Sequence, residues 1–265
     1  MQSSLADRVI VIIGGTSGLG SSAARACAAA GARLVVVGRD EQCTSETGRE
    51  LGSAAVAITA DATKPQTAAG AIAKAIEAFG GFHGLYHVAG GSGRRAGDGP
   101  LHEITDDGWQ FTLDLNLTSL FYSNRAAARQ FIARGGGGVV LNMGSVLGSS
   151  PAPRFFATHA YAAAKSAVIG FTRSCAAFYA SKGIRFNVIA PGLVETPMSR
   201  RACDDDQIRR FVQARQPLDG GRIGQPADLD AAAVYLLSDA SRFVTGQVLC
   251  VDGGWSVSDG AAPGG

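Results

Sequence analysis

Short runs of aliphatic and β-branched residues alternate along the chain with longer alanine-rich segments. The first run, Arg8 to Ile13, is followed by SSAARACAAAGA and then by a second run, Arg33 to Val37. These runs are apolar throughout, as is typical of parallel strands buried on both faces. The pattern predicts a Rossmann-like α/β fold: a doubly wound, parallel, seven-stranded sheet with helices on both faces. The other predicted strands are Ala54 to Thr59, Gly84 to Val88, Gly138 to Met143, Ile184 to Ile189 and Gln247 to Val251, and helices are predicted near Asp106 to Ala133, Thr158 to Ser181 and Ala227 to Ser238.

Length and composition agree with one domain that spans the chain. A sequence of 265 residues, 46% of them hydrophobic, can bury a single core of this kind. The segment Ala133 to Val139 is predicted to be a turn between a helix and a strand rather than a linker. The Gly- and Ala-rich tail, about 258–265, is predicted to be frayed.

Charge and cysteine content exclude several classes of function. The chain has 24 basic and 22 acidic residues, too even a balance for a nucleic-acid partner. The five cysteines are far apart, odd in number and without a metal-ligand grouping, so we expect no metal and reduced thiols in a cytoplasmic protein. No apolar run is long enough to predict a membrane segment.

The glycine-rich segment GGTSGLG, Gly14 to Gly20, lies between the first strand and the first helix. Glycines there allow backbone amides to approach a pyrophosphate at a helix N-terminus. The spacing differs from G-x-G-x-x-G, and glycine-rich turns also occur for purely geometric reasons. Alone, this segment therefore leaves both interpretations open.

The segment HAYAAAKSAVIGF places Tyr161 and Lys165 four residues apart in a run that otherwise predicts a buried helix. At this spacing both side chains lie on one helix face. A cation beside the phenol is expected to lower its pKa by roughly 1 to 3 units, which would make it a usable proton donor and acceptor. The alternative is an ordinary surface pair.

Taken together, the Gly14, Gly18 and Gly20 spacing and the downstream YAAAK resemble the short-chain dehydrogenase/reductase family in its single-domain form. The resemblance covers nearly the whole chain. Further matching segments are Asp61 to Thr63, Ala89 to Gly91, Leu115 to Leu117, Asn142 to Ser145, Asn187 to Met198 and Pro217 to Asp228.

The resemblance implies an NAD(P)-dependent oxidoreductase that interconverts a small-molecule ketone and a secondary alcohol. It implies that Tyr161 is the general acid/base, that Lys165 activates it and binds the nicotinamide ribose, and that Ser145 holds the substrate oxygen. It also implies that Asn116, in a local helix kink, binds a water that continues a proton path from Lys165.

The spacing between Ser145 and Tyr161 departs from the family pattern. Tyr161 follows Ser145 by 16 positions, about three more than is usual. We place the extra residues in the insertion, Ser149 to Ala160, which is expected to border the substrate site. Ser149 or Ser150 would restore a shorter spacing but would lie beyond the strand end. The substrate lid is predicted at about 195–221.

The same resemblance implies a set of cofactor contacts along the carboxyl ends of the strands. They are Gly14, Thr16, Ser17, Gly18, Leu19, Gly20, Arg39, Asp61, Ala62, Ala89, Gly90, Tyr161, Lys165, Pro191, Gly192, Val194 and Thr196.

The end of the second strand predicts which cofactor is used. The position that would carry a ribose-binding acid is Gly38, and the next residue is Arg39, which favours NADP(H) over NAD(H) because an arginine attracts the 2′-phosphate. Ser17 opposes this prediction, because a basic residue is common there in NADP-preferring relatives, so NAD(H) stays possible. Gly38→Asp combined with Arg39→Leu is expected to invert the preference.

His87 stands at a position where the family usually has asparagine. It is expected to be a structural group, so that His87→Asn is expected to keep turnover.

The alternative function is that of a catalytically silent nucleotide-binding sensor. We expect a homotetramer, or else a dimer, formed through the long helices and the last strand. Arginines in the lid, in the insertion and after Gly90 permit an anionic or polyhydroxy substrate.

Overall fold

Seven parallel strands form one sheet in the order β3-β2-β1-β4-β5-β6-β7. The computed structural model describes residues 4–260 of the chain. The predicted seven-stranded doubly wound sheet is confirmed. The strands are β1 Val9–Ile13, β2 Arg33–Gly38, β3 Ala55–Thr59, β4 Gly84–His87, β5 Gly138–Met143, β6 Ile184–Pro191 and β7 Val248–Val251.

Helices connect the strands and cover both faces of the sheet. They are α1 Gly18–Ala29, α2 Glu41–Leu51, α3 Thr67–Phe79, α4 Asp106–Leu113, α5 Ser119–Arg134, α6 Pro153–Phe156, α7 His159–Tyr179, α8 Arg200–Asp204, α9 Asp206–Arg215 and α10 Asp230–Leu237. Alternate residues of β1 point to opposite faces: Val9 and Val11 belong to one apolar cluster with α3 and α5, whereas Ile10 and Ile12 belong to another with α1 and α10.

The strand order reverses beside β1, which pairs with β2 on one side and with β4 on the other. At such a reversal the connections leave in opposite directions, and a crevice opens beyond the carboxyl ends of the two strands. The loops after β1 and β4, which carry Gly14 and Ala89, meet at this crevice.

Helix α2 was not predicted, because its sequence shows almost no apolar face. Only Thr44 and Thr47 are buried in it. Its start depends instead on Asp40, whose side chain accepts a hydrogen bond from the Cys43 amide at 2.8 Å, and it ends at Gly52 with φ of 53°.

The long helix predicted from Asp106 to Ala133 is broken into two. A π-helical turn, Asp114–Thr118, separates α4 from α5. At its centre the Asn116 side chain donates to the carbonyl of Thr112 at 2.9 Å, and so competes with the backbone for an acceptor one turn earlier.

The alanine-rich faces of the long helices pack inside the protein. Ala127 and Ala128 of α5 and Ala164 and Val168 of α7 are buried. The exposed side chains of α4, α5 and α7 include four large aromatic ones, Trp109, Phe111, Phe121 and Phe178.

Candidate active site

Two positions of the glycine-rich turn after β1, Gly14 and Gly20, are too crowded for a side chain. Gly14 has φ of 87°, and a Cβ built on it would lie 2.6 Å from the Ala89 amide nitrogen. A Cβ on Gly20 would lie 1.8 Å from the Gly14 carbonyl oxygen. These contacts close the turn against the loop after β4 and leave the start of α1, at Gly18, with bare backbone. The residues present thus fit a nucleotide pyrophosphate.

Thr16, in the same turn, fills the space above the end of β2. Its side chain is buried, and a Cβ on Gly38 would lie 1.9 Å from its hydroxyl oxygen. The variant pair proposed from the sequence is therefore a poor test of cofactor choice, because Gly38→Asp would displace Thr16. The neighbouring Arg39 is exposed and free to reach a ligand.

The predicted adenine contacts lie close to Arg39. The Asp61 carboxylate accepts a hydrogen bond from the Thr63 amide at 2.9 Å. This hydrogen bond is the main cause of a lowered Asp61 pKa, and Lys64 and Arg39 add to it. Ala62 is partly exposed beside it.

The remaining predicted cofactor contacts follow β4 and β6. A Cβ on Gly90 would lie 2.8 Å from the Asn116 side-chain oxygen and 3.5 Å from Lys165 Nζ. The Gly192 amide donates to Val251 at 3.2 Å, which ties the loop after Pro191 to β7. Thr196 comes within reach of the glycine-rich turn, because a Cβ on Gly18 would lie 3.4 Å from its methyl group. Val194 is buried and Leu19 is partly exposed.

Tyr161, Lys165 and Ser145 meet at the carboxyl end of β5. Lys165 is 3% exposed, and its Nζ donates to the Met143 carbonyl at 2.9 Å. The same Nζ lies 5.6 Å from the centre of the Tyr161 ring. The Ser145 hydroxyl accepts from the Leu147 amide at 3.2 Å and hydrogen-bonds with the Tyr161 phenol. The insertion has not separated Ser145 from Tyr161.

The predicted lowering of the Tyr161 pKa is wrong for this arrangement. Burial raises the pKa of Tyr161 to about 12, and the hydrogen bond with Ser145 offsets only part of that rise. Lys165 is not among the causes that shift the Tyr161 pKa, and burial lowers its own pKa to about 8. Around neutral pH, Tyr161 therefore holds its proton.

Asn116 is fully hydrogen-bonded to protein groups through its side chain. Its amide nitrogen donates to Gly91 and to Thr112, each at 2.9 Å, and its oxygen accepts from the Gly91 amide at 3.0 Å. The kink that the resemblance implied is present, and the side chain holds the loop after β4. The water that this residue was expected to bind stays a prediction.

His87 is a satisfied structural group, as predicted. It is 1% exposed, and its two ring nitrogens lie 3.0 Å from the Ser123 hydroxyl and 3.4 Å from the Ser119 hydroxyl. Burial and the nearby Lys165 charge lower its pKa to about 3, so the ring is neutral. It joins β4 to α5 and carries no charge into the site.

An aromatic cluster beside the insertion escaped the sequence analysis. Phe156 of α6 and Phe211 of α9 lie 5.7 Å and 5.6 Å, between ring centres, from Trp255, which is 1% exposed. Val146, the residue after Ser145, belongs to the same apolar cluster. The insertion, helix α9 of the predicted lid and the segment after β7 therefore pack together next to the predicted substrate position.

Arg215 of α9 is hydrogen-bonded to both the insertion and the segment after β7. Its guanidinium donates to the Ser258 carbonyl and, at 3.0 Å, to the Ser150 hydroxyl, and it lies 5.7 Å from the Trp255 ring centre. The Ser258 hydroxyl donates to Ala214 at 3.0 Å. The start of the predicted frayed tail is thus bonded to α9, and residues 261–265 lie outside the described part of the chain.

None of the helices within residues 4–260 combines the length and apolarity needed to cross a bilayer.

Comparison with known proteins identifies the family of this chain. A family model described as enoyl-(acyl carrier protein) reductase matches residues 14–256. Cis-4-hydroxycyclohexanecarboxylate dehydrogenase of Sinomonas cyclohexanicum is 34% identical over 97% of this chain and 99% of its own.

Solved structures show the same relationship. A short-chain type dehydrogenase/reductase from Mycobacterium ulcerans superposes with a TM-score of 0.88 at 33% identity, covering 96% of this chain and 92% of its own. The 3-ketoacyl-(acyl-carrier-protein) reductase of Brucella melitensis, complexed with NADH, gives 0.84 at 28% identity over 96% of this chain and 100% of its own. The chain therefore belongs to the short-chain dehydrogenase/reductase family, whose members bind a nicotinamide cofactor.

Proposed function

We propose that this protein interconverts a small-molecule ketone and a secondary alcohol with NADP(H) as the preferred cofactor. The observation that carries the proposal is the convergence of Tyr161, Ser145 and Lys165 beside the glycine-rich turn. A bound nicotinamide would supply or accept the hydride at its C4 atom.

The chain's own residues would handle the proton. Tyr161 holds its proton around neutral pH, with a pKa of about 12, and so suits donation to a ketone oxygen. The Ser145 hydroxyl would hold that oxygen near the phenol. Lys165, buried between Tyr161 and β5, would bind the ribose and be the next group on the proton path through Asn116.

Cofactor choice would depend on Arg39. No acid stands at the end of β2, and Thr16 leaves no room for one at Gly38. The exposed guanidinium would pair with the 2′-phosphate.

The arginines at the site entrance support an anionic substrate. Arg94 donates to the Phe155 carbonyl at 3.0 Å, and its pKa is lowered by burial and then by the nearby Arg201 charge. Two cations, Arg94 in the loop after β4 and Arg201 in α8, thus lie near each other. A substrate panel would test this, and faster turnover of neutral ketones than of their carboxylated analogues would refute it.

Exposed aromatic residues support a homotetramer. Trp109, Phe111, Phe121 and Phe178 lie on the long helices, and Leu249 lies on β7. A monomer mass that is independent of concentration in light scattering would rule the assembly out.

Tyr161→Phe is the decisive test of activity. We expect kcat to fall by about 10²- to 10⁴-fold, because the proton donor is lost, with cofactor affinity nearly unchanged. Tyr179→Phe, on the same helix, is the matched control and should keep full activity. If the unaltered protein binds cofactor but reduces no ketone in the panel, the silent-sensor alternative replaces this proposal.

A further inference from the structure

Helix α7, which carries Tyr161, begins without a cap of its own. Thr158, the residue before it, makes no side-chain bond to the first helical amides, and its hydroxyl turns back to the Phe156 carbonyl at 3.5 Å. The first amides of a helix have no partner within the helix and need one elsewhere. Tyr161 lies in this first turn, where helices fray most easily.

The missing partners come from a distant loop. One carboxylate oxygen of Asp98 accepts from the Ala160 amide and the other from the Tyr161 amide, each at 3.0 Å. The Gly99 carbonyl accepts from the His159 amide at 3.2 Å. Asp98 is 5% exposed, so these bonds are shielded from water. A carboxylate at a helix N-terminus is also favoured by the helix dipole.

The same loop is fixed at its other end by a predicted site residue. The Asn116 side chain bonds both backbone groups of Gly91, at 3.0 Å and 2.9 Å. Between the two ends, the Asp98 amide donates to Gly93 at 3.0 Å, and a Cβ on Gly93 would lie 1.7 Å from the Thr112 hydroxyl. The loop 91–99, which we call the bridging loop, is therefore a packed connection between Asn116 and the start of α7.

We propose that Asp98 is a positioning residue, which holds the Tyr161 phenol against Ser145 by capping the helix that the insertion leaves uncapped. The proposal rests on the proposed function of Tyr161. Lys165 lies one turn further along α7 and has its own bond to Met143, so it does not depend on this cap. Loss of the cap should therefore affect proton transfer and leave cofactor binding unchanged.

The test compares Asp98→Ala and Asp98→Asn with Ser238→Ala. Ser238 is the control, because its side chain also accepts from a backbone amide at the start of a helical turn, that of Ala240 at 3.2 Å, and it lies outside α7 and outside the residues assigned to the site. We expect Asp98→Ala to lower kcat by up to about 100-fold, since a small displacement of a reacting group has effects of this size. Asp98→Asn, which keeps one acceptor, should lose less. Cofactor affinity, measured by titration of the reduced cofactor's fluorescence, should stay within about twofold. Ser238→Ala should keep kcat.

A readout that is independent of turnover separates this inference from the proposed function. In protein labelled with ¹³C-tyrosine, the Tyr161 ring signal is identified by its absence in Tyr161→Phe. We expect that signal to move toward the positions of exposed tyrosines in both Asp98 variants, with faster amide exchange at 160 and 161, and to stay in place in Ser238→Ala. An unmoved signal, or a loss of kcat in Ser238→Ala equal to that in the Asp98 variants, would overturn the role of Asp98. If the unaltered protein shows no turnover and the Tyr161 signal still moves in the Asp98 variants, the result would instead count against the proposed function.

Discussion

The cofactor side and the substrate side of the site are held together by different kinds of contact. On the cofactor side, backbone meets backbone: Gly14 and Gly20 allow approaches that no side chain would permit. On the substrate side, the insertion, α9 and the segment after β7 are joined by aromatic side chains and by Arg215. The first arrangement requires glycine at fixed positions, whereas the second can be built from many combinations of large residues. Each side should therefore fail separately when its own contacts are removed.

The largest effect is expected from Trp255→Ala on the substrate side. Trp255 is 1% exposed and packs against Phe156 and Phe211, so its loss should lower the free energy of unfolding by about 3 to 5 kcal/mol. Chemical denaturation measures this change. Phe243→Ala, at a fully exposed ring, is the control and should change stability little. If the remaining folded protein also loses cofactor affinity, the two sides are not independent.

Gly20→Ala should disrupt the cofactor side, as Trp255→Ala should disrupt the substrate side. The added methyl group would lie 1.8 Å from the Gly14 carbonyl oxygen, so the turn must open, at a cost of up to about 3 kcal/mol in unfolding free energy. Binding of NADP(H) should fall below detection in a fluorescence titration. Gly70→Ala, in α3, meets no atom within 4 Å and should be neutral or slightly stabilising. Retained cofactor binding in Gly20→Ala would show that the turn tolerates opening.

Arg39→Leu tests whether Arg39, on the cofactor side, selects NADP(H) over NAD(H). Removing one charge-assisted hydrogen bond should reduce the preference for NADP(H) over NAD(H) by about ten- to a hundredfold, or roughly 1.5 to 3 kcal/mol. The ratio of kcat/KM for the two cofactors measures the effect. Arg49→Leu, at an exposed position of α2, is the control. An unchanged ratio would mean that Arg39 does not contact the 2′-phosphate.

Contacts that leave a local pattern in the sequence were predictable, and contacts between distant residues were not. The seven strands were predictable because each is a short run of mainly apolar residues, and the glycine-rich turn because no side chain fits at Gly14 or Gly20. Helix α2 was missed because its start depends on the Asp40 cap rather than on an apolar face. The Asp98 cap was missed because it joins residues about 60 positions apart and no local pattern marks it.

The predicted pKa of Tyr161 was wrong for a related reason. Spacing places Lys165 on the same helix face as the phenol, but burial depends on the whole fold. In the structure burial is the main cause of both shifts, raising the pKa of Tyr161 to about 12 and lowering that of Lys165 to about 8.

The smallest effect is expected from His87→Asn, which tests whether this residue between the two sides is only structural. Burial and the Lys165 charge lower the pKa of His87 to about 3, from an ordinary value of 6.5. Below pH 6.5 the unfolded chain therefore binds a proton that the folded protein does not, and stability is lost as the pH falls. Between pH 6.5 and 5.5 this one group should account for about 1 kcal/mol of unfolding free energy, measured by denaturation at each pH. His87→Asn should remove that part of the pH dependence and keep turnover, because its neighbours Ser119 and Ser123 can hydrogen-bond an amide. An identical pH dependence in the variant would mean that His87 is protonated in the folded protein, and a loss of turnover like that of Tyr161→Phe would give it a catalytic role.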